Sequence, residues 1–152
     1  MSDQYNIVIA DDDPVLRRML QQSLERCPGS HVLAALANKK DLIASVKEQN
    51  PHLIITDLQM PDGLEGFEAI SELRQSGIKT PAIITTGRLY MLEELEIFTR
   101  NNLDYNPARQ ESSTLEYIEL LNKEKETQHI YGMAKPYHPQ ALCKLMDIIR
   151  GK

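Results

Sequence analysis

No stretch of the 152 residues approaches the roughly 18–20 consecutive apolar residues needed to cross a bilayer. The opening Met1–Asn6 lacks the basic and apolar parts of a secretory leader. Positive charge is not in excess: 17 Lys and Arg stand against 22 Asp and Glu, a formal net charge of −5. A general nucleic-acid binder needs a basic face that displaces counterions from phosphates, so direct nucleic-acid binding is not expected. Cysteine is scarce. Cys27 and Cys143 fall in helical patterns without metal-ligand spacing, which predicts two buried apolar thiols in a reduced, disulfide-free, cytoplasmic protein. His31, His52, His129 and His138 share no ligand spacing either and read as structural or surface residues. Internal repeats and low-complexity tracts are absent. These absences set aside membrane, secreted, collagen-like and disordered classes, and the length suits one domain over residues 1–152.

What is present alternates. Tyr5-Asn6-Ile7-Val8-Ile9-Ala10 is a short apolar run ending in three aspartates, which predicts a buried strand stopping at Asp11. Pro14 suits the first turn of a helix with Asp13 as its N-cap, and Leu16, Met19, Leu20 and Leu24 follow at helical spacing. A second apolar run covers His31 to Ala37, and Asp41 to Asn50 reads as a helix closed by Pro51. His52-Leu53-Ile54-Ile55-Thr56-Asp57 repeats the first design, apolar residues running into an aspartate. After the turn residues Met60-Pro61-Asp62-Gly63, Phe67, Ile70 and Leu73 stripe a third helix ended by Gly77. Pro81 to Gly87 is a fourth strand, Ile130 to Ala134 a fifth, and Ala141, Leu142, Leu145, Met146 and Ile149 line one side of a last helix. The expected fold is α/β, a doubly wound five-stranded parallel sheet.

Between Gly87 and Ile130 lie 42 residues, more than one helix and its loops require. Leu89, Leu92, Leu95 and Ile97-Phe98 suggest a helix ending near Asn101-Asn102, and Ser113 to Lys125 suggests another. An extra helix inserted before the last strand, at about 101–128, is therefore expected.

Right-handed crossovers bring all strand C-terminal ends to one edge, where open α/β sheets bind ligands. That edge collects Asp11, Asp12, Asp13, Asp57, Thr86 and Lys135. Several carboxylates there repel one another unless a cation joins them, and a wet, all-oxygen site suits Mg²⁺. Lys135 adds a fixed positive charge and Thr86 a hydroxyl. The combination suits a phosphoryl group, with Asp57, at the centre of the edge, as nucleophile.

The pieces Ile9-Ala10-Asp11-Asp12-Asp13-Pro14, Arg17-Arg18, Ile54-Ile55-Thr56-Asp57-Leu58-Gln59-Met60-Pro61, Thr86-Gly87 and Lys135-Pro136 occur in an order that resembles the receiver domains of two-component response regulators. The resemblance implies a flavodoxin-like receiver fold and a place in a phosphorelay. Asp57 would take a phosphoryl group from a sensor histidine kinase or phosphotransfer protein. Asp11, Asp12, Asp57 and the backbone carbonyl of Gln59 would hold Mg²⁺. Thr86 and Lys135 would bind the phosphoryl oxygens, and a cis bond would precede Pro136. Output would pass to a downstream protein effector or through self-dimerisation, without turnover of an external substrate.

Four departures from the family pattern stand out. The family's glycine eight residues after the phosphorylated aspartate is displaced: Gly66 is nine residues on and Gly63 six, which predicts a loop longer by one residue. Gly132 stands where the family has its switch aromatic, and Tyr131 should point to the opposite face of its strand. Thr86 and Lys135 are 49 residues apart, about twice the family's habit. The last helix is expected to end near Ile149, and no output domain is expected after it within the 152 residues. A pseudo-receiver that binds partners without phosphorylation is the alternative. A haloacid-dehalogenase-type phosphohydrolase would need an acid two residues after its nucleophile. Asp13 supplies one after Asp11 but Gln59 does not after Asp57, and that family's remaining spacing is missing.

Overall fold

The computed structural model describes residues 4–61, 63, 65–86, 130–134 and 139–151. Five strands, β1 (Tyr5–Ala10), β2 (Ser30–Leu36), β3 (Leu53–Asp57), β4 (Ala82–Thr86) and β5 (Ile130–Ala134), form one sheet in the order β2-β1-β3-β4-β5. Every neighbouring pair is parallel. Four helices are described: α1 (Pro14–Glu25), α2 (Lys39–Gln49), α3 (Glu65–Gln75) and α4 (Pro139–Arg150). The doubly wound parallel fold expected from the alternation is the fold observed. The expected insertion at about 101–128 and its helices, as well as Lys135 and Pro136, lie outside the described residues.

The strands are apolar on both sides because both sides are covered. Val8, Ala10, Ile54, Ala82, Ile84 and Ile130 face Leu42, Val46, Ala69, Ile70 and Leu73 of α2 and α3. Ile7, Ile9, Leu53, Ile55, Ile83, Tyr131 and Met133 face Leu20 and Leu24 of α1 and Leu142, Leu145 and Met146 of α4. The period of two thus sorts adjacent residues into opposite cores, and it sets Tyr131 on the α1/α4 side, away from the face of Ile130.

The first helix starts as its sequence predicts. Asp13 Oδ1 accepts the N–H groups of Val15 at 2.9 Å and Leu16 at 3.3 Å, and Pro14 occupies the first turn. Its apolar stripe is narrower than expected: Leu20 and Leu24 are buried, whereas Leu16 and Met19 are exposed beside Val15. The second helix begins at Lys39, two residues earlier than expected, because Asn38 caps it through Asp41 N–H at 2.8 Å.

One expectation is overturned. Cys27 and Cys143 are not separate thiols but a disulfide, with Cα atoms 5.7 Å apart and a sequence separation of 116. Helical patterning indicated that each cysteine is inward-facing. It carried no information that the first and last helices share one face of the sheet, which is what brings the two sulfurs together.

Candidate functional site

The C-terminal ends of β1 and β3 are neighbours, with Ala10 opposite Thr56. Asp11 follows directly after β1, and β3 itself ends on Asp57. Carboxylate oxygens of Asp11, Asp12 and Asp57 all lie within 4.8 Å of one another. Asp11 is buried, Asp57 half-buried and Asp12 exposed, so the group opens from the sheet edge toward solvent.

The backbone around this group is held from several sides. Asp11 N–H donates to Leu36 O at 2.9 Å, and Asp11 Oδ1 accepts Asp13 N–H at 2.9 Å. Arg17, one helical turn into α1, donates through its guanidinium to the backbone carbonyl of Asp11 at 2.6 Å. The charge-assisted bond ties the start of α1 to the acidic edge. On the other strand, Leu58 N–H donates to Thr85 O at 2.7 Å, and Thr56 Oγ donates to Asp57 O at 3.0 Å.

The loop after Asp57 carries two features for which sequence spacing gave only a displaced glycine. Met60 and Gly63 form an isolated antiparallel bridge, exchanging two backbone bonds of 2.9 Å. The chain then returns so closely that a Cβ on Gly66 would be driven into the carbonyl oxygen of Asp57. It would also lie 2.9 Å from the carbonyl carbon and 3.1 Å from Thr56 Oγ. Gly66 therefore fulfils the close-approach requirement one position later than the family pattern. Glu65, eight residues after Asp57, is buried and accepts Lys39 N–H at 2.9 Å, capping α2 from the start of α3. Lys39 Nζ meets Glu72 at 2.9 Å and Glu68 at 3.5 Å across the same helix pair. An acid eight residues after Asp57, at the place of the family's glycine, was the only sequence signal for Glu65.

Among the predicted site residues, Asp11, Asp12 and Asp57 are brought together. Gln59 lies two residues past Asp57 in the β3–α3 loop, partly exposed. Thr86 ends β4 and pairs in register with Ala134, the residue before Lys135. Lys135 itself lies outside the described residues.

The strand order 2-1-3-4-5, with acids at the carboxyl ends of the two central strands, is the doubly wound order whose ligand site falls at the β1/β3 switch point. Residues 7–104 match the response regulator receiver domain family. The chain belongs to that family. It is 33% identical over 82 residues to the nitrate/nitrite response regulator protein NarP of Escherichia coli, covering 54% of this chain and 38% of that protein. It is 29% identical over 83 residues to the probable C4-dicarboxylate response regulator DctR of Priestia megaterium, covering 55% and 36%. This receiver chain thus spans well under half the length of both relatives. Among solved structures, the signal receiver domain of the putative response regulator NarL from Mycobacterium tuberculosis superposes with a TM-score of 0.66 at 15% identity. That match covers 98% of each chain and bears on the fold alone.

Proposed function

We propose that this receiver is the phosphoacceptor of a two-component phosphorelay and that Asp57 is its acceptor. The observation that carries the reading is the convergence of Asp11, Asp12 and Asp57 at the β1/β3 ends. Their all-oxygen donor set fits Mg²⁺, a hard cation that takes oxygen ligands and keeps several of its waters. Asp11, Asp12, Asp57 and the Gln59 carbonyl would hold it, and when bound it would neutralise phosphoryl oxygens. A carboxylate oxygen of Asp57 attacks phosphorus, an O–P bond forms, and the bond to the donor's imidazole nitrogen breaks. Thr86 donates its hydroxyl to a phosphoryl oxygen and Lys135 pairs with another. The added charge of nearly two at the edge then biases the neighbouring loops between two arrangements. The donor is a sensor histidine kinase or phosphotransfer protein, in the cytoplasm, and the output passes to a protein effector or a second copy of the chain. Residues 1–152 act as one domain with its insertion at about 101–128. The chain is a regulator that promotes only its own phosphorylation and dephosphorylation.

The test is intact mass after incubation with acetyl phosphate. One phosphoryl gained with Mg²⁺, none with a chelator and none in Asp57→Asn are expected. An unmodified wild type that is folded would instead favour a phosphorylation-independent binding module.

A further inference from the structure

The cysteine pair has no part in the acidic edge. Cys27 follows the end of α1, its N–H bonded to Leu24 O at 3.0 Å, and Cys143 stands near the start of α4. Their Cα separation of 5.7 Å lies at the centre of the range a disulfide spans without backbone movement. The two ends of the bond differ in access: Cys27 is 4% exposed within the α1/α4 core, whereas Cys143 is partly exposed at its margin. A seat for the reduced form is also built. The Cys27 sulfur lies 3.6 Å from the carbonyl oxygen of Ser23, one turn back, where a thiol hydrogen would find an acceptor. A reduced Cys27 thiol in this place would thus have an acceptor within reach.

We propose that Cys27 and Cys143 form a reversible thiol–disulfide site that exchanges with small thiols of the glutathione class and, when oxidised, fastens α1 to α4. In reduction a thiolate attacks the Cys143 sulfur, the only partly open end. A new S–S bond forms to Cys143, the protein bond breaks, and Cys27 leaves as a thiolate that takes a proton. A second small thiolate attacks the small-molecule sulfur of this mixed disulfide and releases Cys143. One protein disulfide and two small thiols thus become two protein thiols and one small disulfide, a two-electron exchange, and oxidation runs the same steps in reverse. The bond closes a loop over 116 residues of sequence, so it restricts the unfolded chain strongly. The unfolding equilibrium constant should fall by on the order of a thousandfold on oxidation.

The full chain, equilibrated with oxidised glutathione and separately with dithiothreitol, is denatured, alkylated and weighed, and both forms are melted. The oxidised protein should take no alkyl group and the reduced protein two, with the oxidised melting temperature higher by roughly 10 °C. Folded Cys27→Ala should acquire one glutathionyl adduct on Cys143, while folded Cys143→Ala should remain unmodified at Cys27. Two alkylatable thiols after oxidised glutathione would overturn the proposal. So would equal melting temperatures of the two forms, or adduct formation on Cys27 as readily as on Cys143.

Discussion

Gly66 lies where side-chain volume and site geometry meet. The loop turns back at Met60 and Gly63 and re-enters α3 with Gly66 against the Asp57 carbonyl. The obstacle to a methyl group is backbone, which has no rotamer to yield, so Gly66→Ala must shift either the loop or the end of β3. A loss of roughly 1–3 kcal/mol of stability is expected from such overpacking. Phosphoryl uptake at Asp57 should slow with it, since the displaced atoms belong to the acceptor's own peptide unit. Urea unfolding and the uptake rate check the two effects, and unchanged values in both would remove the close approach from the account. Arg17 acts at the same edge on the neighbouring strand, its guanidinium holding the Asp11 carbonyl at 2.6 Å.

At the scale of the element, α1 shows how caps and stripes divide the work. Asp13 fixes where the helix begins by accepting two N–H groups that have no partner inside it. Asp13→Ala should cost about 1 kcal/mol, read as a lower urea midpoint at unchanged slope. Its carboxylate is not one of the three that converge, so Mg²⁺-dependent mass gain should persist. The strand runs, the Pro14 start and the α4 stripe were legible because each is a local pattern: β1 and β3 are apolar on both faces and both are covered. The acidic cluster was legible one step further, since parallel topology sends every strand end to one edge. What escaped depended on distance in sequence. The partner of Cys27 is 116 residues away, the buried acceptor for the α2 start is Glu65, and the exposed Leu16 and Met19 share a spacing with buried Leu20 and Leu24.

The molecule as a whole has two chemically unlike edges. At the carboxyl end of the strands the acids gather. At the opposite edge Tyr5, at the start of β1, stacks on His52 with ring centroids 5.6 Å apart, and the Arg150 guanidinium at the end of α4 lies 4.5 Å from the Tyr5 ring centroid. First strand and last helix are thus joined at this end by one ring and a cation, while the disulfide ties the last helix to the end of α1. Burial pushes the Tyr5 phenol up to about 12 from its ordinary 10.0, against the lowering pull of Arg150. The neutral phenol is favoured in the folded state, so its contribution is complete below pH 10 and is lost as the pH rises toward about 12. The loss is on the order of 2 kcal/mol. Tyr5→Phe should flatten that alkaline decline in thermal stability, and an unchanged decline would assign it to other groups.

The proposed function requires an acyl phosphate at Asp57 and at no other carboxylate, which borohydride trapping reads directly. An acyl phosphate is reduced to an alcohol, so protein phosphorylated with acetyl phosphate and Mg²⁺ should yield homoserine at position 57 and aspartate at positions 11 and 12. Homoserine at position 11, 12 or 13, or none anywhere in folded protein, would contradict it.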